Sequence, residues 1–144
     1  MLRAGAAVVG GFLAWVVVAT MGNLVLRAAW PRYAEVEVAM NFTLVMLLLR
    51  LLLGALSSLC AGFVAAWIAK GNGAAVKVLA GLMLVAFLPV HYTLWERFPA
   101  WYHMIFLLSL VAMPILGASC YSSYVRSRRG RLARTAGTGT DSAA

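Results

Sequence analysis

Few residues in this 144-residue chain can do chemistry, and those few are widely spaced. Arg50 is the one formal charge within an otherwise apolar stretch, and an ionisable side chain at membrane depth is a functional site by default. His91 and His103 stand at similar distances on either side of Arg97-Phe98-Pro99, so a turn there brings two imidazoles to one depth. Two such rings can ligate a haem iron or a metal, or relay a proton. Glu96 lies between them and completes a set of candidate binding residues, Arg50, His91, Glu96 and His103.

Each has a plainer reading. Arg50 precedes Lys70 by 20 residues, about 30 Å along a helix, so with Lys70 at one membrane surface Arg50 approaches the other. There it can snorkel to lipid phosphate or pair with Glu37, Glu96 or Asn23. Two histidines without a third ligand make a poor zinc site, and an interfacial His is equally served by Tyr92, Trp95 or Glu96. The remaining chemistry is sparse. Cys60 and Cys120 fall at different depths, which opposes a disulfide, and there is no C-x-x-C. No G-x-S-x-G, H-E-x-x-H or P-loop pattern is present, and no carboxylate lies inside an apolar run. No catalytic residue, metal site or cofactor is expected.

The elements that position these residues follow from composition. The chain is 64% hydrophobic and 11% charged, against about 25% charged for soluble domains, so its apolar surface must face lipid. The expectation is an all-α integral membrane four-helix bundle occupying 1–125. Its spans are near 4–26, 41–69, 74–95 and 100–124, each long enough for a hydrocarbon core of roughly 30 Å. Lys70-Gly71-Asn72-Gly73 is a tight turn that joins spans two and three, and Pro99 suits the first turn of span four. Residues 28–40 read as an interfacial loop or short helix. Pro89 and Pro114 each remove a backbone hydrogen bond inside a span and should bend it.

Sorting the charge of +8 by position gives it meaning. Arg3, Lys70, Lys77, Arg126, Arg128, Arg129, Arg131 and Arg134 fall on one face; Arg27, Arg32 and Arg97 fall on the other. By the positive-inside rule the first face, with both termini, is cytoplasmic. Trp67 marks the inner interface, and Trp30, Tyr33, Trp95, Trp101 and Tyr102 mark the outer one. The basic and then polar tail, 126–144, attracts anionic lipid through Arg126, Arg128, Arg129, Arg131 and Arg134 rather than nucleic acid, and disorder is expected from about Ala136.

Helices in lipid associate where small residues let backbones approach. Gly54, Ser58, Gly62 and Ala66 recur every four residues in span two, beside Ser57, Ala61, Ala65 and Ala69. Ala6, Gly10 and Ala14, flanked by Ala7 and Gly11, offer a counterpart in span one. The two faces either meet inside one chain, or one is kept for another copy or a membrane partner.

Arg50 ahead of the run ending Ala61-Gly62-Phe63-Val64-Ala65-Ala66-Trp67-Ile68-Ala69, Phe98-Pro99-Ala100-Trp101-Tyr102 opening span four, and Pro114-Ile115-Leu116-Gly117-Ala118 closing it resemble small four-span bacterial inner-membrane proteins of unassigned function. The resemblance implies a bacterial inner-membrane four-helix bundle and supplies no activity. The expected function is that of a non-enzymatic accessory or helix-packing interaction protein. Its rivals are a small oligomeric channel or transporter with Arg50 and His91 near the pathway, and a bis-His haem or metal redox module.

Overall fold

The computed structural model describes residues 2–138, with side chains described as far as Leu132. The order is α1 (Leu2–Ala29), α2 (Pro31–Glu37), α3 (Leu44–Ile68), α4 (Gly73–Thr93) and α5 (Ala100–Thr138), with no strand among the described residues. Helices α1, α3, α4 and α5 are long and apolar enough to cross a membrane. Each expected span overlaps one of these helices, α3 beginning at Leu44 and α4 ending at Thr93, and residues 28–40 contain the short α2 with Pro31 in its first turn. Proline fits there because its missing N–H has no helical partner to lose.

The turn between α3 and α4 is built on local geometry. Lys70 and Gly71 both have positive φ, 52° and 85°. The Gly71 N–H donates to the Ala66 carbonyl at 2.8 Å and the Lys70 N–H to the Trp67 carbonyl at 3.2 Å, which satisfies the carbonyls that the end of α3 leaves free. Asn72 then caps α4, its side-chain oxygen accepting from the Ala74 N–H at 3.0 Å.

Helix α3 is the hub, packed most extensively on α5 and α1, while α4 fills the space between α5 and α1. Ala61, Ala65, Ala66, Val76, Leu79, Met83 and Leu110 form the central core, and Leu47, Leu51, Phe98 and Tyr102 a second cluster toward the end that carries the α4–α5 turn. The small faces of spans one and two do meet inside the chain, but in a different register from the expected one. Ala7 and Gly11, not Ala6, are the buried small residues of α1; Gly10 and Ala14 are half-buried. A Cβ at Gly11 would stand 2.9 Å from the Ala61 carbonyl oxygen and 3.0 Å from the Ala65 Cβ.

Gly54 and Gly62 correct the expected pairing more fully, because they face α5. A Cβ at Gly54 would stand 2.9 Å from the Phe106 ring, and one at Gly62 would overlap the Pro114 backbone. Reciprocally, a Cβ at Gly117 would overlap the Leu59 carbonyl. Of that stripe, Ser58 reaches span one: its hydroxyl donates to the Gly54 carbonyl at 2.8 Å and accepts from the Trp15 indole N–H at 3.0 Å. Ala66 is buried in the central core. The physical reason for the difference is that a four-residue repeat of small side chains offers close approach without naming the helix that uses it.

Helix α5 continues past the expected end of span four at Tyr124. Arg126, Arg128, Arg129 and Arg131 therefore project from a helix, not from an irregular tail. Of the disorder expected from about Ala136, residues 136–138 are helical and the rest lies outside the described residues.

Candidate functional site

Arg50, His91 and His103 gather at the end of the bundle that carries α2 and the α4–α5 turn, in two clusters that share the Tyr102 ring as a neighbour. The first is assembled by α1, α2 and α3. Arg50 sits about two turns into α3, where its side chain reaches α2. Its Nη1 donates to the Tyr33 hydroxyl at 2.8 Å and lies 3.5 Å from a Glu37 carboxylate oxygen, and its guanidinium stacks 4.7 Å over the Phe42 ring. The Tyr33 hydroxyl donates onward to the Asn23 side-chain oxygen at 3.0 Å, and the Asn23 amide donates to Glu37 at 3.2 Å. Arg27 closes the ring, its Nε 2.9 Å from the other Glu37 oxygen. Burial pushes the Tyr33 phenol above its ordinary range, opposed by Arg50, so it serves as a neutral O–H that both accepts and donates.

This network ties the α1–α2 connection to α3. The sequence reading offered Glu37 and Asn23 as partners for Arg50, and both belong to the cluster. Tyr33 is the surprise. An outer-interface marker was expected at the headgroup level, and its ring is instead fully buried between Arg50 and Phe42. No sequence signal separated it from the neighbouring Trp30, because both rings suit an interface.

A cavity of about 130 Å³ beside Arg50 is lined by Trp15, Asn23, Leu53, Tyr102 and Phe106. Arg50 is thus placed on a wall between the first cluster and the aromatic residues of the second.

The second cluster is made by the end of α4 and the start of α5. His91 and His103 are both buried, and their Nδ1 atoms lie 2.7 Å apart with the rings edge to face at 87°. At that distance one Nδ1 carries a proton and donates it to the other. Two nitrogens on one tetrahedral metal, each bonded at about 2.0–2.1 Å, would stand roughly 3.3 Å apart, and the 2.7 Å separation here is that of a hydrogen bond between the rings. Aromatic rings enclose the pair: Trp95 stacks on His103 at 4.9 Å and 18°, and Phe106 lies 4.6 Å from His91. His103 Nε2 is buried without a partner. Tyr102 borders both rings, 6.3 Å from His91 and 6.0 Å from His103.

Sequence spacing placed the two histidines at one depth with Tyr92, Trp95 or Glu96 as partners, and the structure pairs them with each other, with Trp95 stacked on His103. Tyr92 is exposed, and Glu96 lies exposed on the α4–α5 turn outside both clusters. Cys60 is half-buried and Cys120 exposed, both as free thiols. Among the described residues, no three His, Cys, Asp or Glu side chains converge on a common point.

The imidazole pair makes a quantitative expectation. Removing either ring strands a buried nitrogen of the other, at about 1–3 kcal/mol, whereas removing both strands neither. His91→Phe and His103→Phe should each destabilise the folded protein in detergent, and the double variant should cost less than the sum of the singles. Additive losses in thermal unfolding would show that the two rings do not depend on each other.

No family model, curated protein or solved structure matches the chain.

Proposed function

We propose that this multi-pass chain is a bacterial inner-membrane accessory protein with both termini cytoplasmic, acting by binding a membrane partner rather than by catalysis. One observation carries the reading: Arg50, Glu37, Tyr33 and Asn23 are engaged with one another, as are His91 and His103, with Arg50 Nε and His103 Nε2 the buried side-chain nitrogens among the described residues left without a partner. Arg50 and Arg27 share Glu37, Tyr33 and Asn23 link them, and His91 is paired with His103. Groups used in this way hold helices together, and a reacting substrate would have to displace them.

The outer rim is built differently. Tyr92, Trp95, Arg97 and Trp101 on the α4–α5 side, with Arg32 and Glu35 on α2, are exposed around the clusters that fix their position. Aromatic and Arg side chains are the residues that anchor interfaces, and here rigid elements present them. The small-residue faces are consumed inside the bundle, which favours the rim over the glycine stripes as the partner surface.

The transporter alternative rests on Arg50 beside its cavity, and the two readings part in one experiment. Purification at native expression in mild detergent should recover a membrane protein in fixed stoichiometry, lost when Trp101 is replaced by Ala in a chain that still folds. Recovery of the chain alone, with solute flux in proteoliposomes that Arg50→Ala abolishes, would replace this reading by the transporter.

A further inference from the structure

At the opposite end of the bundle from the histidines and Arg50, a graded groove runs between the α3–α4 turn, α4 and α5. Its deep part is a cavity of about 360 Å³ whose floor is apolar, formed by Ala66, Val76, Ile115 and Ala118. Its mouth carries Lys77 and Arg126, with Ser119, Ser122 and Ser123 along the α5 side. A second cavity of about 580 Å³ continues outward across Gly71, Ser122 and Arg126 to Lys70 and Arg129. The two share these three residues, so apolar floor and basic mouth form one continuous surface.

Three features fit this groove to an amphiphile with a negative head. Four basic side chains converge from three elements, and the acidic side chains of the described residues, Glu35, Glu37 and Glu96, all lie at the other end of the bundle. The N-terminal turn of α4 borders the mouth at Gly73, adding the positive end of a 21-residue helix. Ile115, Ser119, Ser122, Arg126 and Arg129 recur at three- and four-residue intervals, so one stripe of α5 runs from lipid depth to headgroup depth.

We propose that this groove is a binding site for one anionic glycerophospholipid, its phosphate held by Lys77 and Arg126 with Lys70 and Arg129 behind them, and its glycerol and upper acyl chain on the Ala66–Ile115 floor. Basic pockets between spanning helices are suited to such headgroups. A soluble phosphate would use the mouth alone and leave the floor empty. The site goes beyond diffuse attraction to the arginine-rich segment: it assigns the binding to one face of α5. It rests on the chain being embedded in a membrane, not on which side the groove faces, so failure of the partner reading leaves its test intact.

The test is native mass spectrometry of the intact chain titrated with dioleoylphosphatidylglycerol, with dioleoylphosphatidylcholine and inorganic phosphate as parallel probes. One phosphatidylglycerol should bind in preference to phosphatidylcholine. K77Q/R126Q should weaken it by about tenfold or more, from two lost contacts. R128Q/R131Q removes the same charge from the opposite face of α5 and should change affinity by less than about threefold, since only the diffuse field falls. K77R/R126K should retain binding, and circular dichroism of each variant separates a lost contact from a lost fold. Equal weakening by the two charge-removing doubles, or full displacement of the lipid by millimolar inorganic phosphate, would overturn the site.

Discussion

Gly62→Leu separates α3 from α5 and costs at least about 3 kcal/mol, the upper end of what overpacking a close contact usually costs. A Cβ at position 62 meets the Pro114 carbonyl and Cα, which are backbone atoms and cannot rotate aside. Gly117 makes the reciprocal approach, its own Cβ position overlapping the Leu59 carbonyl and lying 2.9 Å from the Phe63 nitrogen. This pair of glycines therefore sets the spacing of the most extensive helix contact in the bundle. In lipid no hydrophobic force compensates for a lost approach, because the bilayer solvates Leu as well as another helix does. Gly81→Ala is the control: a Cβ there meets nothing within 4 Å, and stability should hold or rise by up to about 1 kcal/mol, because Ala is the better residue inside a helix. Unfolding of both variants in detergent, followed by helicity, gives the comparison. Equal stability of Gly62→Leu and Gly81→Ala would contradict the packing described.

Charge arithmetic at the outer cluster gives the second large effect. Arg27 and Arg50 bring two positive charges and Glu37 one negative, so the carboxylate is the scarce partner. Glu37→Gln leaves two guanidinium groups together without a counter-ion. Arg50→Met leaves Arg27 and Glu37 as an intact pair and preserves an apolar stem over Phe42. Breaking a fully buried pair by removing one partner costs about 3–5 kcal/mol, and the Glu37 and Arg50 side chains remain 21% and 31% exposed. We therefore expect about 2 kcal/mol for Glu37→Gln and about 1 kcal/mol for Arg50→Met after allowing for screening. The order is the diagnostic part. Arg50→Met costing more than Glu37→Gln would point to a role for Arg50 outside this network.

Much of the architecture was legible because charge is sparse. Where so few charged residues interrupt apolar runs, the runs announce the spans, and the Lys70–Gly73 turn and Pro99 mark their ends. The similar distances of His91 and His103 from the α4–α5 turn placed them at one depth, which is a one-dimensional inference. Their Nδ1 contact depends on the rotation of α4 against α5, and no linear spacing encodes that. The glycine stripes showed where backbones approach but not which backbone, so the stripe with Gly62 suited span one, another copy or a partner, whereas Pro114 and Gly117 of α5 are its complement. Polarity after Tyr124 marked where burial ends, not where the helix ends. Arg, Leu and Ala are good helix formers, so α5 persists after its apolar face has gone.

Tyr33 was hidden for a related reason. An aromatic ring beside Trp30 and Pro31 suits the membrane interface, and only the fold of α2 over α3 turns its hydroxyl toward Arg50. The consequence reaches function, since Tyr33 and Asn23 convert a lone arginine into part of a polar network in which Arg50 Nε stays buried without a hydrogen-bond partner and Glu37 Oε2 is held only by its ion pair with Arg27. That network is the basis for proposing that the molecule is a scaffold whose rim does the work.

In-cell photocrosslinking at the rim measures this directly. A photoreactive phenylalanine analogue in place of Trp101 should capture one protein of discrete mass, while the same probe in place of Leu108, exposed lower on α5, should capture no protein. Loss of the Trp101 product in Glu37→Gln would further tie the rim to the network beneath it. Absence of any protein product from Trp101, or the same products from both positions, would contradict a partner surface at the outer rim.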